Sequence, residues 1–208
     1  MRNVRRFFVA ALMAGLLHVS AVRAAAAEFD FKDPKGVNAM SFVLDSLLEP
    51  IMGVASGVSG KVNFDPADVT KTTGKIVVDA KTLYTPNTGM TETLHGGDWL
   101  NVGKNPTVEF TVKSVKDVKK VDGNVSEAAV TGDFLCNGVT KELTVPVKFA
   151  HLPGRAGDRM RGAQGDLLIL RSTFTISRAD FKIKPGGNDV VADNVEVRVS
   201  IVGMAATK

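Results

Sequence analysis

The chain has very little cysteine and few aromatic residues. Cys136 is its only cysteine among 208 residues, and aromatic residues make up 6%, with one Trp and one Tyr. A single cysteine excludes any disulfide within the chain, so packing and backbone hydrogen bonds must stabilise the fold. The scarcity of aromatic rings leaves few stacking platforms for sugars or nucleobases.

Motifs for catalysis and for cofactor binding are also missing. No G-x-S-x-G motif occurs, and the Gly-rich stretch 53–61 is not a phosphate loop because Val62 follows Lys61 where Ser or Thr is needed. Glu92, His95 and Asp98 lie three residues apart and leave a periplasmic metal-dependent hydrolase as an alternative, although one histidine with two carboxylates is a thin ligand set for zinc. We therefore expect no enzymatic activity, no metal and no cofactor.

The N-terminus has the layout of a secretory signal peptide. A basic head with Arg2, Arg5 and Arg6 precedes a short apolar run at 7–17, and small residues follow up to Ala24. We expect residues 1–24 to be removed and the mature protein to be periplasmic, with no integral membrane segment. With Arg23, these arginines account for the whole net charge of +4, so the mature chain has no charge excess that favours nucleic acid.

Alternation of apolar and polar residues recurs along the mature chain and predicts about eight half-buried strands. Only residues 45–52 and 88–100 depart from this alternation in favour of helix, and the second range predicts a short helical segment near 88–97. A helix-poor chain with one apolar face throughout predicts an all-β fold, namely a single antiparallel barrel of lipocalin-like form over residues 28–208, with a sandwich as the alternative. Free strand edges in an incompletely closed barrel would allow two chains to pair, so the sequence leaves open whether the protein is a homodimer.

The stretch VTGDFLCNGVTKELTVPVKF, at 130–149, predicts a hairpin. Asn137-Gly138 favours a type I′ turn, since both positions tolerate positive φ. In that register Cys136 opposes Val139 and shares the inward face with Phe134 and Val145. We therefore interpret Cys136 as an apolar wall residue with a raised thiol pKa and not as a reactive centre.

Four stretches together resemble the YceI-like family of exported, lipocalin-like barrels. They are GVSGKVNFDPAD at 57–68, DWLNVGKNPTVEFTVKSV at 98–115, the hairpin at 130–149, and FTISRADFKI at 174–183. The resemblance implies a periplasmic barrel whose elongated interior takes an isoprenoid or similar amphiphilic lipid, for transport, storage or sequestration. The pattern alone fits two kinds of interior. One is a filled core, which would make the protein a structural module without a ligand, and the other is a ligand cavity. The resemblance favours the cavity.

If the interior binds a lipid, its wall comes from the inward faces of the predicted strands. We expect the lining to include Phe42, Val78, Phe110, Phe134, Cys136, Leu143, Val145, Leu170, Phe174 and Val197. Three cationic side chains near predicted loops or the barrel rim are candidates for contacts with a polar head group. They are Lys141, Arg155 and Arg159.

Overall fold

The computed structural model describes residues 26–33, 35–48, 50–184 and 190–206, which form one antiparallel sheet. Its eleven strands are β1 (Ala27–Asp30), β2 (Ala39–Ser46), β3 (Ile51–Ala55), β4 (Val58–Phe64), β5 (Thr73–Asp79), β6 (Leu83–Tyr84), β7 (Thr107–Asp122), β8 (Val125–Cys136), β9 (Val139–Leu152), β10 (Gly165–Ser177) and β11 (Val191–Ala206). Two short helices, α1 (Thr88–His95) and α2 (Ala156–Arg159), complete the described elements together with 3-10 turns at 69–71, 80–82 and 179–181.

Eight of the strands form a closed ring, which confirms the predicted barrel. The ring runs β1-β4-β5-β7-β8-β9-β10-β11 and closes where Asp30 of β1 pairs with Met204 of β11. Strand β2 pairs with the first part of β11, and β3 and β6 continue the sheet from there. The barrel therefore has two different ends. We call the end near the Asp30–Met204 pair the β1 end, and the end near helix α1 (Thr88–His95) the α1 end.

The predicted hairpin is confirmed in turn and in register. Asn137 and Gly138 have φ values of 48° and 73°, so both central residues lie in the left-handed region that a type I′ turn requires. Cys136 pairs with Val139 and Val130 pairs with Val145. Because the register is fixed by this turn, Cys136, Phe134 and Val145 all face the interior.

The prediction for 45–52 was wrong, whereas the helix prediction near 88–97 is confirmed. Strand β2 continues to Ser46, and Ile51 pairs with Leu44 in a second hairpin, since both side chains belong to the inward face. Helix α1 begins after Asn87, whose Oδ1 accepts a hydrogen bond from the Met90 N–H at 3.0 Å, and ends at His95, with Gly96 as its C-cap. No described helix has the length and apolar character needed to span a bilayer.

A cluster of three polar side chains, Asp33, Asn38 and Arg159, stabilises the β1 end of the barrel. Arg159 of α2 donates to Asn38 Oδ1 at 2.9 Å and lies 3.1 Å from Asp33 Oδ1, and the Asp33 side chain is only 1% exposed. Asn38 itself bonds the backbone of Phe31 and Val202. Burial alone raises the pKa of Asp33, but backbone N–H donors from Asn38 and Lys35 and the charge of Arg159 outweigh it and lower that pKa.

Replacing Arg159 with Met should lower the free energy of unfolding by about 2–3 kcal/mol, because it leaves the buried Asp33 carboxylate without its cation. Arg155→Met is the matched control, since Arg155 pairs with Asp158 in an exposed site, and it should cost less than about 0.5 kcal/mol. Denaturant unfolding at neutral pH measures both. Equal losses in the two variants would contradict the assignment.

The same cluster predicts an acid dependence. The pKa of Asp33 is lower in the folded chain than in the unfolded chain, so its contribution is present above the unfolded value and is lost as pH falls below about 4. The stability difference between wild type and Arg159→Met should therefore shrink in acid.

Candidate functional site: an apolar cavity inside the barrel

The barrel interior contains a cavity of about 510 Å³. Its volume falls in the range of roughly 300–1,000 Å³ that is typical of small-molecule sites. Side chains from β2, β3, β4, β5 and β7 to β11 line it, and nearly all of those that face inward are aliphatic or aromatic. The interior is therefore not a filled core, and the open question left by the sequence pattern is decided for a cavity.

Aromatic rings close the cavity at the β1 end. Phe149 lies in the wall and stacks on Phe64, with ring centroids 5.6 Å apart, and Phe29 meets Phe64 edge-on. His151 of β9 packs against both Phe29 and Phe64, is 3% exposed, and is hydrogen-bonded through Nε2 to Asp166 Oδ2 at 2.9 Å. Together these rings form an apolar floor at the β1 end of the cavity.

The α1 end of the cavity is open and more polar. Met90, Thr93 and Leu94 of α1 line it, and the first two are exposed to solvent. Trp99 and Arg178 lie in the wall at the same end, near Leu100 and Ile183. A tail that enters here meets a mostly apolar wall on its way to the Phe149 floor.

Two of the wall phenylalanines lie against glycines of the neighbouring strand. A side chain at Gly53 would collide with the Phe42 ring, and a Cβ at Gly132 would stand 2.7 Å from the Phe110 ring. Each ring thus occupies space that a side chain on the adjacent strand would need, and lies along the wall instead of across the interior. This arrangement helps to keep the cavity open.

The structure places nine of the ten predicted lining residues in the cavity wall. Leu143 is the exception, since it packs against the hydrophobic core without lining the cavity. Their contact with a ligand stays a prediction. The nine are Phe42, Val78, Phe110, Phe134, Cys136, Val145, Leu170, Phe174 and Val197.

None of the three predicted head-group residues is among the side chains that line the cavity, and their contact with a ligand stays a prediction. Lys141 lies opposite Phe134 in the β8–β9 hairpin and pairs with Asp180. Arg155 pairs with Asp158, and Arg159 belongs to the polar cluster with Asp33 and Asn38.

Arg178 is the functional candidate that the sequence reasoning missed. It is 5% exposed, and its guanidinium donates to the backbone carbonyls of Ala192 (2.8 Å), Val191 (3.0 Å), Ile183 (3.2 Å) and Lys184 (3.3 Å). Its Cζ lies 5.6 Å from the centroid of the Trp99 ring, within cation–π range. The signal was its place in FTISRADFKI, where alternation ends directly after β10.

Cys136 is the wall residue that the sequence predicted. It is 4% exposed, and burial raises the pKa of its thiol to about 12. Almost no thiolate exists at neutral pH, so the side chain behaves as a small apolar group.

Comparison with known proteins agrees with this architecture. The model of the YceI-like domain matches residues 24–203. The chain belongs to the YceI-like domain family. A UPF0312 protein of Pseudomonas paraeruginosa is 29% identical over 198 residues, covering 94% of this chain and 96% of the relative. A UPF0312 protein of Vibrio parahaemolyticus is 29% identical over 163 residues, covering 77% and 80%.

Solved structures share the fold of this YceI-like chain. Burkholderia cenocepacia BcnA superposes with a TM-score of 0.64 at 23% identity, covering 79% of this chain and 95% of that one. A polyisoprenoid binding domain from Saccharophagus degradans, implicated in plant cell wall breakdown, superposes with a TM-score of 0.62 at 12% identity, covering 86% and 99%. At these identities the likeness shows the fold alone.

The residues behind the hydrolase alternative do not come together in this YceI-like barrel. His95 Nε2 lies 2.6 Å from the Leu83 carbonyl oxygen, and Asp98 pairs with Lys184 at 3.3 Å. Within the described ranges, no three side chains of His, Cys, Asp or Glu are placed to hold a metal ion. The spacing of Glu92, His95 and Asp98 therefore creates no joint site.

Proposed function

We propose that this YceI-like protein is an exported carrier or sequestering protein that holds an isoprenoid-type or similar amphiphilic lipid in its barrel. The observation that carries the proposal is the apolar cavity, closed at the Phe149 floor and open beside α1. Such a site suits a molecule with one long apolar tail and one polar end. The polyisoprenoid binding of a structural neighbour supports the same ligand class.

Apolar burial supplies the driving force for this binding. Removing apolar surface from water contributes roughly 25 cal/mol per Å², or about 0.8 kcal/mol for each methylene group. A cavity wall built of aliphatic and aromatic side chains needs no polar contact along the tail. A lipid that is insoluble in water would thereby be carried or stored outside the cytoplasm without aggregating.

Native mass spectrometry of protein purified from the periplasmic fraction of its host tests both parts of this proposal. We expect a polypeptide that lacks residues 1–24, carrying one amphiphile per chain that organic solvent releases and that fragments as an isoprenoid or related lipid. A full-length chain in the cytoplasmic fraction would contradict export. A chain with no adduct, which also takes up no lipid after purification, would contradict the binding function.

A further inference from the structure

The cavity wall carries one cation that no carboxylate of the wall neutralises. Lys75, Glu109 and Arg178 are the charged residues among the lining side chains. Lys75 Nζ pairs with Glu109 Oε2 at 2.7 Å, so these two charges compensate each other. Arg178 forms no ion pair with any carboxylate in the part of the chain that the structure describes, unlike Arg155, Arg159 and Arg198.

The contacts of Arg178 satisfy hydrogen bonds without cancelling its charge. Its described partners are four neutral carbonyl groups and the face of Trp99. Hydrogen bonds from Ser177 and the Ala179 N–H lower the pKa of Asp193, and the charge of Arg178 lowers it further. Asp193 is nevertheless exposed and lies outside the cavity wall. Among the described residues, no carboxylate of the cavity wall compensates this buried cation, and such a cation favours an anionic partner because burial weakens the screening by water.

The position of Arg178 fixes where such a partner would lie. Arg178 follows directly after β10, whose Leu170 pairs with Phe149 at the floor. The strand from Leu170 to Ser177 covers roughly 23 Å, at about 3.3 Å per residue. The cation and the aromatic floor therefore stand at opposite ends of the apolar wall.

We propose that Arg178 and Trp99 form a subsite for a negatively charged head group, so that the preferred ligand is an anionic amphiphile whose tail extends toward Phe149. This inference rests on the proposed lipid-binding function and specifies its ligand. The shared chemistry is a carboxylate or phosphate oxygen, which accepts a charge-assisted hydrogen bond from the one guanidinium N–H, on Nη2, that the four carbonyls leave free. The indole of Trp99 holds the guanidinium plane and covers the apolar start of the tail.

Three ligands with the same tail test the proposal on the unmodified protein. Farnesyl phosphate, farnesoic acid and farnesol are titrated into delipidated protein, and the fluorescence of Trp99, the only tryptophan of the chain, reports binding. We expect the phosphate and the carboxylate to bind roughly ten- to thirtyfold more tightly than the alcohol, in line with a charge-assisted contact. Comparing farnesyl phosphate with farnesoic acid shows whether the site is specific for phosphate or accepts any anion. Either result supports the proposal.

The outcomes distinguish this inference from the lipid-binding function. Farnesol binding as tightly as both anions would overturn the anionic subsite and leave the carrier function intact. Failure of all three ligands to bind would overturn the carrier function itself. Neither conclusion depends on a variant.

Variants then assign the preference to Arg178. Arg178→Lys, which keeps the charge, should retain most of the preference for anions, and Arg178→Gln should bring the anions within about threefold of farnesol. Arg171→Gln removes an exposed cation from the same strand and should leave the preference unchanged. An Arg178→Gln protein that shows cooperative unfolding yet keeps the full preference would overturn the assignment. If that variant does not fold, the wild-type ligand series decides the proposal.

Discussion

Val145→Trp should leave the lipid-free barrel folded with a stability within about 1 kcal/mol of wild type, and should weaken lipid binding by more than about a hundredfold. Val145 lies in the cavity wall between the open end and the Phe149 floor. A bulky indole there enters empty space instead of displacing neighbours, so the overpacking cost of roughly 1–3 kcal/mol seen in filled cores should not arise. The indole excludes about four methylene groups of the ligand, each contributing about 0.8 kcal/mol.

Leu168→Trp is the matched control for this prediction. Leu168 belongs to the same hydrophobic core and is fully buried at 0% exposure, but it does not line the cavity. The same added ring should therefore overpack the floor and lower the free energy of unfolding by about 1–3 kcal/mol. Denaturant unfolding of both delipidated variants gives the comparison. Equal destabilisation at the two positions would mean that Val145 faces a packed interior, and would contradict the cavity.

Affinity should rise steeply with tail length and then level off. The cavity of about 510 Å³ ends at the Phe149 floor, so it holds only a finite length of tail. Until the cavity is filled, each added methylene contributes about 0.8 kcal/mol, close to fourfold in affinity. Geraniol should bind at least about a hundredfold more weakly than farnesol, whereas geranylgeraniol and longer prenols should differ little from one another.

A variant at the floor gives the control for tail length. Leu170 pairs with Phe149 at the deep end of the wall, so Leu170→Trp shortens the cavity from below and leaves its open end unchanged. The plateau should then be reached by a shorter prenol, with little loss for geraniol. Affinity that keeps rising through the longest prenols in wild type would contradict a closed floor and indicate a tail that passes through the barrel.

The local pattern predicted those parts of the fold that adjacent residues determine. Asn137-Gly138 fixes its turn by backbone preference alone, and the turn then sets the register and the inward face of β8 and β9. Strands β1, β3 and β6 escaped prediction because they are two to five residues long, too short for a period of two to stand out. Their place depends on the long strands with which they pair.

The candidate site was harder to predict because it depends on contacts between distant segments. Alternation looks the same for a filled core and for a cavity, and the close approach of Phe42 to Gly53 across two strands is not visible in either segment alone. Arg159 and Asp33 are far apart in sequence, so their ion pair appears only once the β1 end is assembled. Arg178 is surrounded by the carbonyls of 183–184 and 191–192, and no pattern in the sequence around position 178 indicates these contacts.

A crystal structure of the delipidated protein soaked with geranylgeraniol tests the central claim most directly, namely that the barrel holds one lipid tail in an interior closed at one end. We predict continuous ligand density from the Trp99 end of the wall to the Phe149 ring, in contact with Val145 and Leu170, with the strands unmoved. Side chains packed across that space, or a lipid found only on the outer surface of the barrel, would contradict the claim.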